Sequence, residues 1–147
     1  MRVERSIAIQ APPERVYDLV MDPSRLEDWV TIHAGLKEAP DGELREGSEL
    51  VQSLKIAGRR FDVHWEVVEA QKPRRVVWEG RGPVRTRAKV VYDFDSDGGG
   101  RSCSFSYTNE YSMPGGPFGR IAGGVLRRTS QRESERSLEK LKRIVEG

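Results

Sequence analysis

The 147-residue chain has one cysteine, two histidines and no apolar run of membrane-spanning length. Because Cys103 has no partner in the chain, an internal disulfide is excluded, and the simplest location is the reducing cytoplasm. His33 and His64 are far apart in the sequence, and together with one cysteine they do not make a metal-ligand set. We therefore expect a cytoplasmic protein with no metal, no cofactor and no membrane span.

The chain also has little excess charge, with 25 basic and 23 acidic residues and a formal net charge of +2. Arg85, Arg87 and Lys89 form a basic stripe on the outer face of a predicted strand, but no aromatic residues alternate with them. A solvated surface explains this stripe better than a phosphate contact does. We expect no nucleic-acid partner, and both a monomer and a homodimer remain open.

Hydrophobic periodicity predicts a single α+β domain over residues 1–147, since no linker, repeat or low-complexity tract divides it. The segment from Val3 to Gln10 alternates as a half-buried strand does. Pro12-Pro13 and Pro23-Ser24 then open two short helices. Five or six antiparallel strands follow, and a long helix runs from Pro117 to Gly147. This order predicts a curved antiparallel sheet wrapped around its C-terminal helix.

The last strand alternates most clearly and defines the face that we expect to point at the helix. Its inward positions carry Cys103, Phe105, Tyr107, Asn109, Tyr111 and Met113, while serines occupy most of the other face.

The long helix is apolar at both ends and polar in its middle. Phe118, Ile121, Val125 and Leu126 lie near its start and Leu138, Leu141 and Val145 near its end, whereas residues 129–134 read Thr-Ser-Gln-Arg-Glu-Ser. A helix that rests on a filled core keeps its apolar stripe, so we expect a chamber beneath the polar middle. An empty apolar void of about 300 Å³ would cost about 7 kcal/mol, so such a space must be occupied, wet or absent.

One set of residues resembles the polyketide cyclase/dehydrase branch of the START-like, birch-pollen-allergen-like helix-grip superfamily. The resemblance covers nearly the whole chain and is carried by Ile7-x-Ile9-x-Ala11-Pro12-Pro13-x-x-Val16-Tyr17, Asp22, Trp29 and Leu138-x-x-Leu141-Lys142. It implies a helix-grip fold. These are packing and turn residues, so they specify function poorly.

Members of the superfamily include aromatase/cyclases that act on polyketide chains and carriers of lipids and hormones. Ubiquinone-binding relatives carry a Tyr-Pro-x-Phe-like motif in the second short helix, where this chain has Leu26-Glu27-Asp28-Trp29. This departure counts against a quinone chaperone. No catalytic residue of the known cyclases matches a motif here, so the catalytic residues are unknown.

The candidate ligand-binding residues combine apolar walls with a few polar groups, as small-molecule sites do. They are Trp29, His33, Gln52, Trp65, Trp78, Tyr92, Tyr107, Asn109 and Tyr111. For Trp65 and Trp78 a role in the core is favoured. For Tyr107, Asn109 and Tyr111 bonds to backbone or solvent are equally good individual explanations, although the group together favours a pocket.

Two further side chains have open alternatives. His33 follows the helix that contains Trp29 and is predicted to be an exposed loop histidine, with an acid/base role at the pocket mouth as the alternative. Arg5 is in phase with Val3 and Ile7, which would aim it inward, but an outward path at the sheet end is favoured.

Three functions remain in competition. The first is a binding module that holds a hydrophobic or aromatic small molecule between sheet and helix. The second is an aromatase/cyclase or dehydratase, in which a tyrosine or His33 would move protons. The third and weakest is a module that binds a helix of a protein partner on the same concave surface.

Overall fold

The computed structural model describes residues 2–56, 58–112 and 117–147, and it describes the side chains of all of these except 117–126. Seven strands and three α-helices are present in these residues, together with one 3₁₀ turn at Pro23–Arg25. In chain order they are β1 Arg2–Ile9, α1 Pro13–Val20, α2 Leu26–Trp29, β2 His33–Glu38, β3 Glu49–Ile56, β4 Arg59–Gln71, β5 Arg75–Arg81, β6 Arg87–Ser96, β7 Cys103–Ser112 and α3 Pro117–Glu146.

The strands form one curved antiparallel sheet in the order β1-β7-β6-β5-β4-β3-β2. From β2 to β7 each strand pairs with the next in sequence, and β1 closes the other edge by pairing with β7. The α+β class and the sheet wrapped around the C-terminal helix are thus confirmed.

Strand β2 is a difference from the prediction, which named no strand here and placed His33 in a loop. Its pairing with β3 is interrupted by register shifts around Gly35 and Leu36, so the regular alternation that marks a strand is missing. His33 is the first residue of this strand.

The short helices begin where the prolines place them. Pro13 opens α1, whose Val16, Leu19 and Val20 are buried, and Asp22 caps the 3₁₀ turn by accepting a hydrogen bond from the backbone N–H of Ser24 at 3.0 Å. Helix α2 follows directly and is only four residues long. Its function in the fold is to direct Trp29 onto the sheet.

Helix α3 lies against β1 and α2. Lys142 donates to the carbonyl of Ala8 at 2.6 Å, and Glu146 accepts from the backbone N–H of Gln10 at 2.8 Å. Arg5 donates to Glu135 at 3.0 Å, so its guanidinium lies at the rim between β1 and the helix. Leu138, Leu141 and Val145, the apolar residues near the end of the helix, are buried.

The turn between β5 and β6 is the second difference. The prediction extended β6 back to Arg85, but the strand begins at Arg87, and Val84 and Arg85 adopt positive φ angles of 54° and 58°. These backbone angles are incompatible with a strand, so Arg85 is not part of the predicted basic stripe.

Of the other predicted inward or apolar residues, Met113 lies outside the described residues, as do the side chains of Phe118, Ile121, Val125 and Leu126. Within the described part of the chain, no helix combines the length and apolar character needed to span a bilayer.

Candidate ligand-binding site

The centre of the concave face is filled by aromatic side chains. Trp29 is fully buried, and its ring centroid lies 6.0 Å from that of Tyr92 and 6.4 Å from those of Phe105 and Tyr107. Tyr92 stacks on Tyr107 at 5.2 Å and meets Trp78 edge-on at 5.8 Å. Offset and edge-to-face contacts of this kind are the favourable geometries for aromatic pairs. Trp29 thus fills the space between α2 and the sheet.

The predicted chamber under the polar middle of α3 is therefore replaced by a narrow seam. The open volume there is about 10 Å³, roughly the space of one water molecule. The seam is bounded by β7, α3 and the residues around Val30 and Ile32. The polar stretch of the helix has a different cause from the one predicted: small serines let the helix approach closely.

Hydroxyl groups hold this seam together. Ser130, Ser134 and Ser137 of α3 are buried, and the hydroxyl of Ser137 accepts from the backbone N–H of Thr31 at 3.1 Å. The Thr31 hydroxyl bonds to the side chain of Glu133. On the sheet side, Asn109 donates to Ser134 at 3.4 Å.

A larger cavity of about 270 Å³ lies at the other end of the same concave face. It is bounded by the β3–β4 hairpin, the turn between β5 and β6, and the end of β7. Its lining residues, among those described, are Leu54, Ile56, Phe61, Val63, Trp65, Gly82, Pro83, Val84, Thr86, Ala88 and Tyr111.

The space exists because inward side chains become smaller along β6. From the filled end to the cavity end, the strand presents Phe94, Tyr92, Val90 and Ala88. Ala88 lies directly opposite Gly80 on one side and Tyr111 on the other. At the cavity end, the inward side chain of β6 is therefore only a methyl group. Further along the strand, the inward side chains are phenyl and phenol rings that fill the core.

Gly80 gives Trp65 its place in the cavity wall. A Cβ atom at position 80 would lie 2.6 Å from Cε3 of Trp65 and 2.8 Å from Cγ1 of Val63, distances that real Cβ atoms do not adopt. Trp65 lies directly opposite Gly80 in the β4–β5 register. The indole therefore rests on the strand backbone instead of projecting into the cavity.

The far edge of Trp65 is fixed by a chain of hydrogen bonds. Its Nε1 donates to Oε1 of Gln52 at 3.0 Å, and Nε2 of Gln52 lies 2.8 Å from Nδ1 of His33. An indole N–H can only donate, so the amide oxygen must face Trp65 and the amide N–H₂ must face the imidazole. Nδ1 of His33 is then an acceptor, and the neutral ring carries its proton on Nε2.

The polar groups of the lining residues are used within the protein. The Thr86 hydroxyl donates to the carbonyl of Pro83 at 2.7 Å, and the Tyr111 hydroxyl shares a hydrogen bond with Ser130. With Trp65 bonded to Gln52, each of the three polar side chains that line the described cavity has an internal partner. The cavity therefore offers carbon surface to a ligand.

Burial determines the protonation of the phenols. It raises the pKa of Tyr92, Tyr107 and Tyr111 above the ordinary value of 10.0, with neighbouring phenols adding to the effect for Tyr92 and Tyr107. These hydroxyls keep their protons at neutral pH. Burial lowers the pKa of His33, and the nearby carboxylate of Glu27 offsets part of this shift.

The nine predicted site residues are thus divided among four surroundings. Trp65 and Tyr111 line the cavity; Tyr107, Asn109 and again Tyr111 line the seam. Trp29, Trp78 and Tyr92 lie in the aromatic core, while Gln52 and His33 stand behind Trp65. His33 is not the exposed loop histidine that was predicted, since it is half-buried in β2 and bonded to Gln52.

Most of the cavity's lining was missed from sequence. Leu54, Ile56, Phe61 and Val63 read as ordinary inward positions of a hairpin, and nothing in their alternation marks them as lining an open space. The usable signal was the small pair Gly80 and Ala88 at facing positions of adjacent strands.

Comparison with known proteins identifies the family. The chain matches, over residues 1–146, the model of the family described as polyketide cyclase/dehydrase and lipid transport, and it belongs to that family.

Two curated relatives come from Mycobacterium tuberculosis H37Rv. An uncharacterized protein, Rv1546, is 26% identical over 125 residues, covering 85% of this chain and 87% of the relative. The protein named toxin Rv0910 is 23% identical over 126 residues, covering 86% and 88%.

Solved structures show the same fold at low identity. The Zhui aromatase/cyclase from Streptomyces sp. R1128 superposes with a TM-score of 0.76 at 15% identity, covering 99% of this chain and 93% of that one. A START superfamily protein from Mycobacterium smegmatis gives a TM-score of 0.73 at 16% identity, covering 99% and 97%. The chain therefore has the START-like helix-grip fold of the polyketide cyclase/dehydrase branch, which supports a family-level role in ligand binding.

Proposed function

We propose that the protein binds a hydrophobic or aromatic small molecule in the 270 Å³ cavity beside Ala88, and that binding rather than catalysis is its activity. The observation that carries this proposal is the composition of the cavity wall: eleven described residues line it, and their three polar side chains are all engaged within the protein. Such a wall attracts apolar surface and gives no directional hold on a polar reactant.

The size of the cavity limits the ligand. Small-molecule sites usually occupy about 300–1,000 Å³, and 270 Å³ lies just below that range. A compact one- or two-ring aromatic suits this space, whereas an extended polyketide chain does not.

The protonation states favour binding over the alternative of a cyclase or dehydratase. A general acid or base works best with a pKa near the working pH, and burial moves the pKa of Tyr111 and Tyr107 upward, away from neutrality. His33 has a suitable imidazole, but its Nδ1 lone pair already accepts a hydrogen bond from Gln52.

Naphthalene, a two-ring hydrocarbon, is a suitable probe. We expect it to raise the melting temperature of the wild-type protein and to be recovered unchanged, because a ligand that binds only the folded state stabilises it. Ala88→Phe should weaken binding at least about tenfold, equivalent to about 1.4 kcal/mol, by placing a ring in the cavity. Ala8→Phe, at an exposed position of β1, is the matched control and should bind as the wild type does.

Equal naphthalene binding by Ala88→Phe and Ala8→Phe would overturn this location of the site. Chemical conversion of a bound polyketide-like chain would favour the enzyme instead. A protein that responds to no aromatic probe would support the weaker possibility of a protein-partner module.

A further inference from the structure

Trp65 differs from the other two tryptophans in the hydrogen bonding of its indole N–H. The N–H groups of Trp29 and Trp78 are buried without a hydrogen-bond partner among the described residues, whereas Trp65 donates to Gln52. Trp65 is also the one of the three that lines the 270 Å³ cavity. The one indole that borders the cavity is thus the one whose polar edge is held by a protein acceptor.

Both polar atoms of the Gln52 side chain take part in the hydrogen bonds to Trp65 and His33. Gln52 is only 4% exposed and lies on the inward face of β3, with its amide oxygen facing Trp65 and its amide nitrogen facing His33. Burying a side-chain amide costs free energy unless its oxygen and its N–H₂ both form hydrogen bonds. For packing alone, an apolar side chain at this position would serve equally well. The amide instead joins the cavity wall to the half-buried imidazole.

We propose that Gln52 is a specificity-determining residue: by holding the Trp65 N–H away from the ligand, it makes the cavity select aromatic hydrocarbons over isosteric rings that carry a hydrogen-bond acceptor. His33 is a positioning residue for this selection, because its Nδ1 accepts from the amide and fixes which way Gln52 points. This inference rests on the proposed function and specifies the ligand class of the same cavity.

The physical basis is an unpaired acceptor. A ring nitrogen or carbonyl that enters the cavity loses its bond to water and, in the wild type, meets lining groups that already have internal partners. When Gln52 is replaced by an apolar residue, the indole N–H is released and becomes a donor that such a ligand can use. A hydrocarbon gains nothing from the change.

Naphthalene and quinoline test this directly, since they differ by one ring nitrogen. We expect wild-type protein to prefer naphthalene, and Gln52→Met to shift the ratio of the two dissociation constants towards quinoline by about tenfold, equivalent to about 1.4 kcal/mol. Asn109→Met makes the same amide-to-thioether exchange at another buried inward position, in contact with Ser134 and not with Trp65, and should leave the ratio unchanged.

Gln52→Glu provides the conservative variant and has the same shape. Its carboxylate still accepts from Trp65, so the wild-type preference for naphthalene should remain, while the atom that faces His33 becomes an acceptor and should raise the pKa of that histidine. Loss of the preference in Gln52→Glu, or an unchanged ratio in Gln52→Met, would overturn the proposal. If Gln52→Met does not fold, Gln52→Leu removes the acceptor with a different apolar side chain and provides the same test.

A measurement without ligand separates this inference from the proposed function. In spectra of protein labelled with ¹⁵N at the indole nitrogens, Gln52→Met should shift the Trp65 N–H signal and speed its hydrogen exchange, whereas Asn109→Met should not. If neither probe binds wild type but the Trp65 signal responds, the proposed function fails, and with it the selection. If the probes bind and the signal does not respond, the role given to Gln52 alone is wrong.

Discussion

The two halves of the concave face follow the same strands and differ in how their inward positions are filled. In one half, Trp29, Tyr92 and Tyr107 pack ring against ring. In the other, Ala88 leaves about 270 Å³ that Trp65, resting on Gly80, does not enter. The difference shows that a helix-grip sheet need not be hollow under its helix: side-chain size along one strand determines where the open space lies.

The filled half should respond most strongly to truncation. Trp29→Ala removes a fully buried ring with three aromatic neighbours and should lower the free energy of unfolding by about 3–5 kcal/mol. Phe61→Ala, which shortens a half-buried ring in the cavity wall, should cost less than half as much. Urea denaturation of both variants measures the contrast. Equal losses would show that the two halves are packed alike.

A methyl group at Gly80 tests whether the strand backbone positions Trp65. Gly80→Ala places Cβ 2.6 Å from the indole, so the ring must move, and we expect a loss of about 1–3 kcal/mol together with weaker naphthalene binding. Gly82→Ala is the control for the unfolding measurement, because its Cβ would meet Thr86 at an ordinary 3.5 Å. Unfolding curves of both variants and a binding isotherm of Gly80→Ala against wild type provide the test, and an unaltered Gly80→Ala protein would contradict this explanation.

The hydroxyl seam should contribute to stability without affecting the ligand. Thr31→Val removes the hydroxyl that bonds to Glu133 and Ser137, and we expect a loss of about 1 kcal/mol with unchanged naphthalene affinity. Thr108→Val makes the same exchange at a buried threonine whose side chain has no hydrogen bond to another described residue, and it should be neutral. If Thr31→Val abolished probe binding, the seam would have to be part of the site.

The smallest expected effect is the change in the free energy of unfolding with pH that arises from His33. Because burial lowers the pKa of His33 in the folded state, the unfolded chain binds a proton more readily, so the stability from this group is complete above the ordinary pKa of 6.5 and falls as pH drops below it. Glu27, which raises the pKa, reduces the size of the effect. Urea denaturation at several pH values should show this fall in wild type and a smaller one in His33→Gln. A rise in stability towards low pH would contradict the hydrogen-bond pattern.

The order of elements and the inward face of β7 could be read from sequence, because strong alternation and paired prolines dictate them locally. Strand β2 could not, since two register shifts remove its alternation. The chamber was misplaced for a different reason. Serines in the middle of α3 were interpreted as lining open space, whereas they allow close approach to Thr31 and Asn109.

The cavity was predictable in principle. The decrease in size from Phe94 to Ala88 along β6 is visible in the sequence, but it gains meaning only when the register sets Ala88 beside Gly80. Whether Trp29 fills the centre of the concave face depends on the direction of α2, a helix of only four residues. That direction is set by tertiary packing, so local sequence does not show it.

The most direct test of ligand binding beside Ala88 is a crystal structure of the protein soaked with naphthalene. We expect the ring to contact Ala88, Val63 and Trp65, with Trp29 still packed on Tyr92 and Tyr107. Naphthalene bound beneath the serines of α3 with Trp29 displaced, or the space beside Ala88 filled by protein side chains, would contradict this expectation.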